Sequence, residues 1–403
     1  MAKWLEKTLG EVTAFIAKGI PPKYTEEENE NTIRVLNQKC NRNFEISYNE
    51  SRIHDCEKKK VPVDKMLRAG DVLINSTGTG TAGRVAQMVE VPVPTTIDGH
   101  MILIRPSEEL DPIYYGYAVK SFQSQIEGLA EGSTGQTEIN RRRLQDEVII
   151  RYPNDKLVQK NIGSFLANID EKIKANKEIN KNLEQQAQAI FNNAIQQSKS
   201  VTYVKLGSLA DVKGGKRLPK GANLMSIPNS HPYIRVRDLN DVVFASLSAN
   251  YEYVDDETQK AISRYITTTD DVLISIVGTV GLTAIVDKSL NMANLTENCV
   301  KVTKLHGISP EYLLLYLRSQ HGSEEIKKGT VGAVQAKLPI KNIQALSVPL
   351  LPQSDLQLLN DTLKILFHQL SINIAESKCL TDIRDSLLPR LMSGELDVSE
   401  FDL

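Results

Sequence analysis

The most enzyme-like spacing in the chain is Gly78-Thr79-Gly80-Thr81-Ala82-Gly83, which fits G-x-G-x-x-G and follows the strand-like run Asp71 to Asn75. Such a loop cradles a pyrophosphate only when a helix follows it, because the helix N-terminus supplies free amides and the positive end of its dipole. Here the chain runs on as Arg84-Val85-Ala86-Gln87-Met88-Val89-Glu90-Val91-Pro92-Val93-Pro94, which reads as extended and broken by proline. A tight turn between strands is therefore expected in place of a nucleotide site. There is no Walker-type lysine loop, no G-x-S-x-G elbow, no H-E-x-x-H helix and no Asn-Pro-Pro-aromatic segment. The acid pairs Asp255-Asp256 and Asp270-Asp271 read as turn and capping residues. Cys40, Cys56, Cys299 and Cys379 form no C-x-x-C pair, and His54 and Cys56 lack a second ligand pair, so no metal site is expected and the thiols read as free in a reducing compartment. These residues point to a binding protein rather than an enzyme, with no catalytic residues and no cofactor of its own.

What remains is cationic. Basic groups cluster at Lys58-Lys59-Lys60, at Arg141-Arg142-Arg143, along Lys213 to Lys220 with Lys216 and Arg217, at Arg235 and Arg237, and at Lys327-Lys328. The formal net charge is -2, which argues against a uniformly basic DNA binder but leaves local patches free to set the footprint of a polyanion. The candidate DNA contacts are Lys58, Lys59, Lys60, Arg141, Arg142 and Arg143 in the first half, and Lys216, Arg217, Arg235, Arg237 and Lys337 in the second. No apolar run approaches the ~20 residues that span a bilayer, and Met1 to Glu6 offers no signal-peptide core, so a cytoplasmic location with no membrane partner is expected.

The elements that must carry these groups come in duplicate. Leu9-Gly10 to Pro22-Lys23 matches Leu206-Gly207 to Pro219-Lys220, and Ile33-Arg34-Val35 returns as Ile234-Arg235-Val236. Asp71-Val72-Leu73-Ile74 returns as Asp271-Val272-Leu273-Ile274, Gly80-Thr81-x-Gly83 as Gly278-Thr279-x-Gly281, and Gly132-x-x-Gly135 as Gly329-x-x-Gly332. Asp111-Pro112-Ile113-Tyr114 is echoed by Ser309-Pro310-Glu311-Tyr312. The matches are collinear with shifts of 197 to 201, so the chain holds two copies of one domain rather than a solenoid. Val72 to Ile74 and Val272 to Ile276 read as buried strands, and Tyr114 to Phe122 and Tyr312 to Arg318 as helices opened by a proline.

Each copy ends in a proline, at Pro153 and at Pro349/Pro352, and then changes character. Ile162, Leu166, Ile169, Ile173, Asn176, Asn180, Leu183, Ala187, Ile190 and Ala194 alternate by four and three, which is a heptad seam. A shift of 197 gives Leu359, Leu363, Leu366, Leu370, Asn373, Ser377, Leu380, Arg384, Leu387 and Leu391, so the second helix keeps the same register up to Pro389 and Ser393-Gly394. A repeat with a two-fold axis across the helices makes them antiparallel, with Asn180 facing Asn373 and Asn176 facing Ser377. The expected fold is α+β: two β-rich mixed domains at 1–153 and 200–352, helices at 154–199 and 353–397 forming an antiparallel coiled coil, and a tail at 398–403.

Two variable globular domains, each followed by a long helix, resemble the specificity subunits of type I restriction–modification systems. The resemblance covers essentially the whole chain. It rests on Lys205-Leu206-Gly207-Ser208-Leu209, on Asp271 to Ile274 with Gly278-x-x-Gly281, and on Pro153…Gln159…Ile162…Leu166…Ile169-Asp170…Ile173. Its most specific piece is the tail Ile383-Arg384-Asp385-Ser386-Leu387-Leu388-Pro389-Arg390-Leu391-Met392-Ser393-Gly394-Glu395-Leu396. The family often places Glu-Gln before each helix; this chain does not. The resemblance implies that each domain is a target recognition domain reading half of a bipartite double-stranded DNA site. It also implies that the helices set the gap and dock two methyltransferase subunits, which would hold S-adenosylmethionine, and that motor-nuclease restriction subunits join them. A two-headed protein-binding scaffold without DNA specificity is the alternative, and a fusion enzyme using the Gly-rich turn is a second.

Overall fold

A computed structural model of the chain describes residues 3–132, 137–332 and 335–396; Gly135 and the tail at 398–403 lie outside the described residues. The chain divides into two compact units, one of residues 1–174 and 376–403, the other of residues 175–375. Each unit therefore contains one globular head and one half of each long helix, Lys156–Gln197 and Gln353–Ser393.

In the first unit, Val72–Asn75 is buried along its whole length. It sits between Met101–Pro106 and Val85–Gln87, with Thr13–Lys18 beyond, in an all-antiparallel sheet. Asp71 ends this strand by accepting from Arg68 N at 2.8 Å and pairing with Arg105 at 2.6 Å, so it is a buried ionic anchor as well as a turn residue. A second sheet of Thr95–Ile97, Thr32–Leu36, Arg52–Asp55 and Tyr24–Thr25 flanks it. The helix Pro112–Ser121 is capped by Asp111, which accepts from Ile113 N and Tyr114 N. It packs so closely on the long helix that a Cβ at Gly163 would lie 2.8 Å from Tyr114 N. Gln159, fully buried, accepts from Asp111 N at 2.7 Å and donates to Glu109 O and Pro153 O, which ties the helix start to the head.

The two halves of the long helices in this unit run antiparallel: Asp170 meets Arg384 and Lys172 meets Glu376 at 3.3 Å. Asp170 also accepts from Tyr117 OH at 2.6 Å. The ammonium of Lys120 is buried beside this network, stacked 4.2 Å over the Phe44 ring, with no hydrogen-bond partner among the described residues. Burial first, and then the charge of Arg384, bring the Lys120 pKa down to about 8, against the pull of Asp170, Asp385 and Glu45. The sign follows: below pH 8 the folded chain carries a costly buried charge, and between 8 and 10.5 it releases a proton that the unfolded chain keeps, so stability rises with pH there. Lys120→Met is expected to stabilise the protein by on the order of 2 kcal/mol at pH 7, and thermal melts should show that gain fading to nothing near pH 10.5.

The second unit repeats the plan. Val272–Ser275 lies between Cys299–Thr303 and Thr283–Val286, with Asp211–Gly214 and Phe244–Ala245 at the edges. Asp271 accepts from Thr268 N and pairs with Lys301 at 3.1 Å. Ser309 caps Pro310–Arg318, and Tyr312 stacks edge-on against Phe191 at 4.9 Å. Asn373 Nδ2 donates to Asn180 Oδ1 at 2.8 Å, the antiparallel pairing of the polar layer.

Most of the expected seam is inside: Ile162, Leu166, Ile169, Ile173, Asn176, Leu359, Leu363, Leu370 and Asn373 are buried, while Asn180, Leu183, Leu366, Leu380 and Leu387 are half-buried. Ile190 is 38% exposed and Phe191 takes the inside position, because this end of the helix turns its ring to the head. Pro389 does not end its helix; it lies inside Gln353–Ser393, and Gly394 at φ +74° terminates it.

Candidate nucleic-acid interface

The strand pairings fix which residues of the two heads correspond. In the first head Thr32–Leu36 runs parallel to Thr95–Ile97, with Leu36 opposite Ile97; in the second, Tyr233–Ile234 runs parallel to Asn294–Leu295, with Ile234 opposite Leu295. Leu36 O accepts from Asp98 N as Ile234 O accepts from Thr296 N. Ile234 therefore stands where Leu36 does, and the sequence match of Ile33-Arg34-Val35 with Ile234-Arg235-Val236 is three residues out of register. A short 3-10 turn follows at each place, Gln38–Cys40 after Asn37 and Val236–Leu239 after Arg235. Arg235 thus corresponds to Asn37, and Arg237 to Lys39.

The neighbouring strand end is fixed by two glycines. A Cβ at Gly19 would fall 2.1 Å from Asp98 O, and one at Gly215 2.0 Å from Thr296 O. Ile20 N donates to Ile97 O and Lys216 N to Leu295 O, which makes Arg217 the counterpart of Pro21. The loops Asp98 to His100 and Thr296 to Asn298 close the same face, with Glu297 at the place of Gly99 and Asn298 at that of His100. Gly215→Ala is expected to force the strand end off its neighbour at a cost of ~1–3 kcal/mol, lowering the melting temperature by several degrees and displacing Arg217. Thermal melts and duplex-binding titrations would register both changes.

In the second head these pieces enclose an open cleft of about 360 Å³ lined by Arg217, Tyr233, Arg235, Arg237, Glu297 and Asn298. Arg235 is the inner member: one terminal nitrogen pairs with Glu252, its backbone N–H donates to Asp238, and its Nε, 3.9 Å from Asp238, and other terminal nitrogen are buried with no hydrogen bond among the described residues. Arg237 is exposed and makes two long ion pairs, 3.6 Å from Asp238 and 3.8 Å from Glu252. Arg217 is more exposed still and is held through Nε to Glu297 at 2.7 Å. Glu297 is in turn pulled below the usual carboxylate range, burial resisting and Arg217 prevailing. Burial lifts Asp238 to about 6, with Arg237 opposing. Tyr233 donates to Lys216 O at 3.0 Å, and Lys216 reaches over the Tyr265 ring at 5.5 Å.

Four expected residues, Lys216, Arg217, Arg235 and Arg237, thus meet on one face. Lys337 is exposed and is bridged through its backbone to Val277, whose neighbour Ile276 donates to Asn298 O. In the first head, Lys59 Nζ lies 3.4 Å from Pro21 O, on the corresponding face, while Lys58 is paired with Asp55 at 2.9 Å and Lys60 is exposed. His54 is buried and staples this turn, accepting from Lys23 N and meeting Lys59 O, so it is structural. Arg141 and Arg142 are exposed, but Arg143 is engaged by Glu131 and Glu147. Asp238, Glu252, Thr296 and Glu297 were not legible as site residues, because Glu297 lies 80 positions from Arg217 and only strand pairing joins them. Among the described residues no group of three or more His, Cys, Asp or Glu is placed to hold a metal. The Gly78 to Gly83 loop connects two antiparallel strands, as its extended flank implied.

Comparison with known proteins places this arrangement. The family model described as type I restriction modification DNA specificity domain matches residues 1–185 and again 198–377. The type I restriction enzyme MjaIX specificity subunit of Methanocaldococcus jannaschii is 23% identical over 384 residues, covering 88% of this chain and 83% of that protein. The crystal structure of a type I restriction-modification system S subunit from M. genitalium has the same fold, with a TM-score of 0.58 at 18% identity over 97% of this chain and 96% of that one.

Proposed function

The chain belongs to the type I restriction modification DNA specificity domain family, and from that footing we propose how its two heads divide the work of reading DNA. It is a specificity subunit, a non-catalytic DNA-sequence reader that acts with other subunits. Each head reads one half of a bipartite duplex, through the face at the end of Thr13–Lys18 in the first and of Asp211–Gly214 in the second. One observation carries this reading: the same backbone frame presents Pro21, Asn37, Lys39, Gly99 and His100 in one head and Arg217, Arg235, Arg237, Glu297 and Asn298 in the other. A shared frame with exchanged polar groups suits two different half-sequences, since phosphate contacts position a protein and base edges specify it. The helices hold the heads at a set interval and dock two methyltransferase subunits, whose bound S-adenosylmethionine would supply the methyl group; restriction subunits would complete the assembly. Among the described residues no helix is long and apolar enough to cross a membrane.

The test is the methylated motif of the host genome with and without this chain, and with a foreign domain grafted over residues 203–351. One half of the motif is expected to change while the other half and the gap persist. A motif indifferent to the chain, or altered in both halves by the graft, would refute the division.

A further inference from the structure

We infer that Arg217 and Arg237 are base-reading residues of the second head and that its half-site contains guanine; this rests on the reading proposed above. The cleft arginines are paired with acids: Arg217 with Glu297, which also lines the cleft, and Arg235 and Arg237 with Asp238 and Glu252, which do not. These pairings offset part of the positive charge and so part of the pull on a phosphate, which responds to charge. What they offer is direction. Arg217 is restrained at Nε by Glu297, and the structure gives its two terminal nitrogens no partner among the described residues. The guanidinium of Arg237 is held more loosely, its Nε 3.6 Å from Asp238 and one terminal nitrogen 3.8 Å from Glu252. Each is a planar fork with a carboxylate beside Nε, the outer donors free in Arg217 and only loosely held in Arg237, where one terminal nitrogen lies 3.8 Å from Glu252. That geometry matches the paired acceptors O6 and N7 on the major-groove edge of guanine, the commonest target of a bidentate arginine.

Arg235 has a different part. It is mostly covered and engaged with Glu252, so it supports the 3-10 turn that carries Arg237 rather than reaching outward. Glu297 is likewise a positioning residue, acting through Arg217. The first head supplies an internal contrast. At the matching places it has Pro21, with no donor, and Lys39, a point charge without a fork. The half-site of the first head should therefore not depend on this pair of contacts.

The experiment compares methylated motifs in the host for the full-length chain and for R217Q, R237Q, R217K, R237K and E297Q. The half assigned to the second head by the domain graft is expected to contain a fixed G·C pair at one position or more. The glutamine variants should lose that preference and bind the cognate duplex roughly 5- to 150-fold more weakly for each contact removed, while the other half of the motif stays fixed. The lysine variants keep the charge but not the fork, so they should retain the salt dependence of binding and still lose the base preference. E297Q should give a degenerate base at the Arg217 position without loss of the other half. A second half-site lacking any fixed G·C pair would overturn the inference. So would a motif unchanged in both arginine variants, or uniform weakening on every sequence with a shallower salt slope, which marks phosphate contacts. These failures differ from failure of the underlying reading, in which the motif would not depend on the chain at all.

Discussion

Asp170→Ala should cost about 3–5 kcal/mol, because it takes from the Arg384 guanidinium, 14% exposed, the less exposed of its two carboxylate partners and leaves it only Asp385. Tyr117 loses its acceptor in the same step, and Lys120 loses the nearby charge that favours its ammonium. A melting temperature lower by roughly 10 °C or more is the expected reading, and a fall of one or two degrees would contradict it. The second unit shows what an apolar version looks like. There Phe367 occupies the place of Asp170, Ala187 that of Arg384 and Leu315 that of Tyr117, and all three are buried. The combined change Asp170→Phe, Arg384→Ala and Tyr117→Leu should therefore recover most of the loss, since a buried ion pair replaced by packed hydrophobic groups is often neutral or better.

A second large effect is expected from the helices. One extra heptad placed after Leu183 and another after Leu380 lengthen the spacer by at most ~10 Å. The rise of B-DNA is ~3.4 Å per base pair, so the gap in the methylated motif should grow by up to about three base pairs. The same change rotates one half-site by roughly 100° around the duplex, so variants either move to the longer gap or lose methylation. Insertion of three or four residues would break the seam register and should abolish activity. An active heptad variant with the original gap would dismiss the ruler.

Much of the architecture was legible because it is written twice. The Asp71 and Asp271 strands, the proline-opened helices and the heptad seam each recur, and repetition separates a fold signal from chance. The Asn180 to Asn373 pairing followed from the two-fold logic of the repeat alone. The site was less legible. Its register slipped by three residues because loop lengths differ between the copies, and only the parallel pairing of Tyr233–Ile234 with Asn294–Leu295 sets it. Cationic clusters in the sequence do not tell how firmly each group is already held: Arg143 is locked between Glu131 and Glu147, while Arg237 is only loosely paired with Asp238 and Glu252. The acids that restrain the arginines sit on distant segments and have no periodic signature.

The two compact units differ in one respect that bears on how the protein is made. The second is a single stretch, residues 175–375, whereas the first needs residues 1–174 and then residues 376–403. On the ribosome the later-encoded unit is complete first. Ile162 and Leu166 must wait for Leu388 and Leu391 through roughly 10–40 s of synthesis at ordinary rates. During that interval the first nascent helix exposes an apolar strip, which makes it a ready client for chaperones. A stop codon near 376 is therefore expected to leave the second head folded and the first without Leu388 and Leu391, which limited proteolysis of the truncated chain would show.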